Sequence, residues 1–217
     1  GIAAIAIMTI INVLGIQRTA GVAGVLAAVT TTFVLVTVAV GVLLPVVPGP
    51  EVRMLLPQEP SWAIVTAASI FFFAFAGYAR VATLGSEVRE AKRNIPRAIV
   101  IVMSAVTALY FGVLYVLQTW LRTNLAIVDA PFVAFFDRAM PGLGWLVLPV
   151  VVMATLGSIL ALLAGVSRTA AEMASDRELP ALFQARNRFG SPWVAEVAIA
   201  IGASVLVLAA DNLAWAI

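Results

Sequence analysis

The sequence predicts an all-α integral membrane protein of about six transmembrane helices, and three observations predict it. Of the 217 residues 63% are hydrophobic and only 11% are charged, whereas a soluble globular domain carries roughly 25% charge. The mean hydropathy is +1.08. The apolar residues are gathered into runs near the ~20 residues that a helix needs to cross a hydrocarbon core, with short charged stretches between them. Helix is the expected state of each run, because lipid offers no water to satisfy the open edge of a sheet.

Six runs qualify in order: Ile2 to Gly15, which is short, Gly21 to Leu44, Trp62 to Leu84, Ala98 to Gln118, Leu143 to Val166, and Val194 to about Trp215. Together they read as one transmembrane domain over residues 1–217. The chain opens inside one apolar run without Met or a basic leader and stops inside another, which predicts truncation at both ends.

The connections alternate in charge. Residues 16–20, Gly85 to Arg97 and Ser167 to Pro192 hold Arg18, Arg89, Lys92, Arg93, Arg97, Arg168, Arg177, Arg186 and Arg188. The opposite connections, Pro45 to Ser61 and Thr119 to Gly142, hold only Arg53, Arg122 and Arg138. Nine basic residues against three place the first set in the cytoplasm of a multi-pass cell-membrane protein. On the outer side, Asp129 to Met140 reads as a short amphipathic helix, either a plain piece of loop or a lid over a pathway.

The chain has no cysteine and no histidine. Disulfide frameworks, Cys/His metal sites and histidine bases or proton relays are thereby excluded. No carboxylate pair lies within a span, so the nucleophile, base or metal set of a membrane enzyme is missing and the protein is read as a non-enzyme. A net charge of +2, scattered along the chain, describes no nucleic-acid surface. The expected partners are the lipid bilayer, a small molecule and the helices of the same polypeptide that are absent from this sequence.

The third span carries the chemistry. Its string SIFFFAFAGYARVATLGSEVREAKRNIPRAIV sets Gly77 among Phe71, Phe72, Phe73, Phe75 and Tyr78. A glycine there either serves close helix packing or lets a ligand approach a weakened backbone. Interrupted membrane helices expose half-helix ends and free carbonyls that bind charged groups. The string resembles the sixth helix and following loop of the amino acid–polyamine–organocation superfamily, matching at Phe72, Phe73, Ala74, Phe75, Gly77, Glu87, Arg93, Ile95, Pro96, Arg97, Ala98 and Ile99. A second stretch, SRTAAEMASDRELPALFQARNRFGSPWVAEVA, is similar to the family's loop between helices eight and nine at Arg168, Met173, Ala174, Asp176, Leu179, Pro180, Gly190, Ser191 and Pro192. IINVLGIQRTAGVAGVL is similar to its turn between helices four and five.

The resemblance covers helices four to nine and implies part of a leucine-transporter-like inverted-repeat fold. It implies a secondary active transporter of amino acids, with the chain unwound around Ala74 to Tyr78. Carbonyls of Phe73, Ala74 and Ala76 would then hold a substrate ammonium, and Phe73 and Tyr78 would supply an aromatic wall or gate, so that the implied substrate-binding residues are Phe73, Ala74, Phe75, Ala76, Gly77 and Tyr78. Carbonyl dipoles at a helix break favour cations, and a partnering half-helix N-terminus favours the carboxylate. Carriage of another organic cation or polyamine, and a bundle that transports nothing, are the alternatives. No cofactor is implied. The coupling ion, H+ or Na+, stays open, because Ala79 stands where the family often has Asp or Glu and about Thr30 where some members have lysine.

Arg80 lies deep in the third span, where an unpaired charge costs about 2.5 kcal/mol or more. It either snorkels or pairs with Glu172, Glu196 or an absent helix, or it is a fixed charge in place of a coupling cation. Thr155 and Ser158 are a candidate cation site, or they bond their own backbone. Gly157, Ala161 and Gly165 read as a packing seam. Charges from Glu87 to Arg93 make a solvated loop or an inner gate, and Asn94 is placed to cap a helix with Pro96 in its first turn.

Overall fold

The computed structural model describes residues 1–46, 62–75, 90–122 and 128–214. Among them the chain forms seven α-helices: α1 Ile2–Val13, α2 Ile16–Leu43, α3 Ala63–Phe75, α4 Ala91–Leu121, α5 Pro131–Ala139, α6 Val147–Ser175 and α7 Trp193–Ala214. No strand occurs among the described residues. Four stretches are long and apolar enough to cross a membrane, namely Gln17–Leu43, Lys92–Leu121, Gly144–Ser175 and Trp193–Ala210. α1 is equally apolar but shorter, at 12 residues. The protein is an all-α, multi-pass membrane protein, and among the described residues many large aliphatic and aromatic side chains are exposed, as lipid-facing residues are.

Several helices outrun their apolar stretch. α6 continues nine residues past Val166, through Arg168 and Glu172, to Ser175. It stops there because Arg177 adopts a left-handed conformation (φ 67°). The Arg177 N–H reaches Ala174 O at 3.1 Å and the Glu178 N–H reaches Met173 O at 2.9 Å. That pairing closes a helix end and usually employs glycine. α4 begins at Ala91 rather than Ala98, behind a left-handed Glu90 whose carbonyl takes the Asn94 N–H at 3.0 Å. Asn94 is therefore inside the helix instead of capping it. Pro96 falls one turn deeper than expected, where it leaves the Lys92 carbonyl without its helical donor.

The chain forms two compact units. Unit one comprises residues 1–32 and 148–217. Its core joins Ile5 and Met8 of α1, Leu160 and Leu163 of α6, and Ala200 of α7, with Val22 and Ala23 of α2 against them. α1 ends at a glycine held at φ 112°, Gly15, over which Phe189 packs. The last carbonyls of α1 have no partner within the helix, and the loop before α7 supplies donors. Asn187 Nδ2 donates to Val13 O at 2.6 Å, and Ser191 Oγ donates to Asn12 O at 2.9 Å. Asn187 holds that loop in shape by accepting the N–H groups of Phe189 and Ser191 on its own Oδ1, at 2.9 and 3.1 Å.

Unit two is residues 33–147. Its core is aromatic: Phe135 and Phe136 of α5 are buried with Val116, Leu117, Trp120 and Leu121 of α4. The Trp120 and Phe135 rings meet edge to face at 5.3 Å, and Phe33 of α2 stacks on Phe136 at 5.2 Å. Trp120 Nε1 donates to Gly41 O at 3.0 Å, which needs a close crossing of α2 and α4. Gly41 permits it, since a Cβ there would run into Val116. The amphipathic stretch at 129–140 is indeed a helix, with Pro131 at its start, and it is driven into the core as its centrepiece. Arg138 ties it to Trp120 O at 2.9 Å, and Asp137 accepts the Gly144 N–H at 3.2 Å.

Candidate functional site

α3 is built from small and aromatic residues, AIVTAASIFFFAF, and within the described residues it runs to Phe75. Its far end lies beside α4. Phe75 meets Tyr110 edge to face, with ring centroids 5.3 Å apart and planes at 72°. Around that pair is a cavity of about 380 Å³ lined by Phe71 and Phe75 from α3 and by Met103, Thr107, Tyr110, Phe111 and Leu114 from α4. Known small-molecule sites begin at roughly 300 Å³, so an amino acid is within its range. The α4 residues recur at intervals of three and four, which is one face of a helix. Thr107 directs its hydroxyl hydrogen to Met103 O at 2.7 Å. The lining therefore offers aromatic surface, a phenol and hydroxyl lone pairs, and among the described residues it includes no charged group.

Of the residues singled out for substrate binding, Phe75 lines this cavity. Phe73 and Ala74 lie on α3 just before it. Ala76, Gly77 and Tyr78 lie outside the described residues, as do Ala79, Arg80 and Glu87. Thr155 and Ser158 are on α6 in the other unit, exposed in this chain, and the Thr155 hydroxyl donates to Val151 O at 2.8 Å. Thr30 likewise bonds back to Leu26 O and Ala27 O, at 2.9 and 3.0 Å. In the predicted α6 seam Gly157 packs on Leu26, to which an added Cβ would come within 3.4 Å. The α4 wall escapes a reading by hydropathy. Its available signal is the pair Thr107 and Tyr110, a hydroxyl and a phenol on one face of an otherwise apolar span.

Apolar helices with an aromatic cavity between two of them fit a multi-pass membrane protein that can admit a small solute. Comparison with known proteins makes the assignment specific. The family described as "Amino acid permease" matches residues 1–216. Uncharacterized transporters of Mycobacterium tuberculosis and Mycobacterium bovis are each 39% identical over 215 residues, covering 96% of this chain and 48% of the relative. A cationic amino acid transporter of Arabidopsis thaliana, chloroplastic by its name, is 26% identical over 184 residues, covering 82% of this chain and 31% of its own length. No solved structure matches. The chain belongs to the amino acid permease family, within the superfamily that its third span resembles. It spans about half the length of the mycobacterial relatives.

Proposed function

We propose that this chain is part of a secondary active transporter that carries amino acids across the cytoplasmic membrane by alternating access. The observation that carries the reading is the family match across residues 1–216. In this reading the substrate meets the backbone from Phe73 to Tyr78, its ammonium group on the carbonyls of Phe73, Ala74 and Ala76, and its side chain in the cavity between α3 and α4. The segments that would complete the site, including the glycine-rich partner helix, belong to sequence beyond this chain.

The substrate class follows from the lining. Phe71, Phe75, Met103, Phe111 and Leu114 are apolar, and no carboxylate is among the described lining residues. A guanidinium or ammonium side chain would lose its hydration there without gaining an ionic partner. A neutral, apolar amino acid is therefore the proposed cargo, although one relative is named for cationic amino acids. In proteoliposomes holding the full-length carrier, unlabelled leucine and alanine should compete with labelled leucine uptake far better than arginine or lysine. Stronger competition by the cationic pair would reject the neutral assignment and leave the family reading in place.

A further inference from the structure

Glu196 stands in the first turn of α7, is only 4% exposed, and its Oε2 has no hydrogen-bonding partner among the described residues. An unpaired carboxylate in such a place carries a heavy desolvation cost. Other buried or partly buried donors of unit one are spent elsewhere. Ser191 Oγ serves Asn12 O, Asn187 Nδ2 serves Val13 O, and the hydroxyls of Thr9 and Ser167 serve Ile5 O and Ala164 O at 2.7 and 3.2 Å. Asn12 is 2% exposed and gives its amide to Leu160 O at 3.3 Å, while its Oδ1 is a second buried acceptor without a donor among the described residues. What this end of unit one lacks is hydrogen.

Glu196 is 4% exposed within this chain alone, which leaves little surface for a side chain from a further segment and favours a small partner. Arg168 on α6 is half-buried, and its charge acts on Glu196 without bonding Oε2. A metal cation would add a second positive charge opposite that guanidinium and would require about six oxygen ligands. Among the described residues, α1 and the turn Ala181–Gln184, which pack on α7, contain no titratable side chain; the loop before α7 carries Arg186 and Arg188, both exposed, and α6 contains besides Arg168 only Glu172, which is exposed.

We propose that Glu196 is a proton-binding site, holding a proton in the enclosed arrangement and releasing it when Arg168 closes on the carboxylate. The proton comes from and returns to bulk water; the carboxylate gains one O–H bond and loses its charge, and no other bond changes. Protonation turns Oε2 from an unmatched acceptor into a donor. Its linkage to transport rests on the carrier reading above, and the experiment separates the two.

The full-length carrier is reconstituted in lipid vesicles and measured in two ways. The infrared difference spectrum between alkaline and mildly acidic pH should contain the C=O stretch of an un-ionised carboxyl that shifts in D2O. Glu196→Gln should remove that band, and Arg168→Gln should move its pH midpoint while Glu196 is intact. A spectrum unchanged by Glu196→Gln, or one without such a band, overturns the proposal. If the Gln variant does not fold, the Arg168→Gln midpoint decides, and an unmoved midpoint likewise overturns it. In the second measurement, labelled leucine is taken up either by exchange or against an imposed proton gradient. Glu196→Gln should keep exchange and lose accumulation. Accumulation that survives in Glu196→Gln overturns the linkage, whereas a wild type that does neither refutes leucine carriage and leaves the infrared result standing.

Discussion

A methyl group built on Gly41 would collide with the Val116 side chain, and the same glycine's carbonyl receives the Trp120 indole N–H. Gly41→Val should therefore cost about 1–3 kcal/mol through overpacking, lowering the yield of folded protein while leaving uptake per folded molecule near normal. Gly77→Val is expected to do the reverse in the full-length carrier, inserting and folding but not transporting. A branched side chain there restricts the backbone and intrudes on the proposed substrate. Fluorescence-detected size exclusion paired with uptake per folded molecule distinguishes the two, and normal uptake by folded Gly77→Val would remove substrate from that segment. Asn187 is a second informative residue, because one side chain both shapes its own loop and donates to Val13 O. Asn187→Ala loses all three bonds. Asn187→Asp keeps the two acceptor bonds and points a carboxylate at the Val13 carbonyl, so it should lower the melting temperature at least as much as Ala, by about 1–3 kcal/mol of stability. A wild-type melting curve for Asp would mean that the Val13 bond contributes nothing.

At the scale of elements, α5 distinguishes an anchored helix from a swinging one. Phe135 is fully buried and Phe136 nearly so, against Trp120, Val116 and Phe33. Phe135→Ala should destabilise the protein by about 3–5 kcal/mol, read as a lower melting temperature in detergent, because α5 fills the core of unit two. An unchanged melting temperature would instead fit a helix that lies loosely over a pathway. The helix itself was legible in the sequence, from Pro131 and the alternation of phenylalanine with Asp137 and Arg138. Its depth was not, because an amphipathic pattern does not say what its apolar face meets. α4 and α6 extend beyond the apolar runs that hydropathy marks, since hydropathy senses the lipid boundary and helical hydrogen bonding continues past it into water. The tie of Asn187 and Ser191 to the end of α1 is not announced by any local period for a related reason: Val13 and Asn12 meet them only through folding, from the other end of the chain. Of the candidate site, Phe75 lines the cavity beside α4 and Ala76, Gly77 and Tyr78 lie outside the described residues, while the α4 side of that cavity was not read from the sequence.

At the scale of the whole molecule, orientation is the property most open to direct measurement. Ser175 closes α6 and Ala130 precedes α5, and both are exposed. With cysteine introduced at each in turn, an impermeant thiol reagent applied to intact cells should label Ala130→Cys at once and Ser175→Cys only after lysis. Labelling in the opposite order would invert the topology drawn from the basic residues, and with it the side from which Glu196 exchanges its proton.

The tie between α1 and the loop before α7 also has a meaning for biogenesis. Its two hydrogen bonds join residues 174 and 179 positions apart. At a synthesis rate of roughly 5–20 residues per second, the end of α1 waits about 10 to 35 s for Asn187 to leave the ribosome. Unit two, by contrast, is one uninterrupted stretch, residues 33–147, and every partner that its core needs is made before α7 exists. Assembly is thus ordered by the chain itself: the aromatic unit can be complete while the first helix is still held unfinished in the membrane, and a nascent chain arrested before Asn187 would present the Val13 carbonyl without its Asn187 donor to whatever insertion machinery attends it.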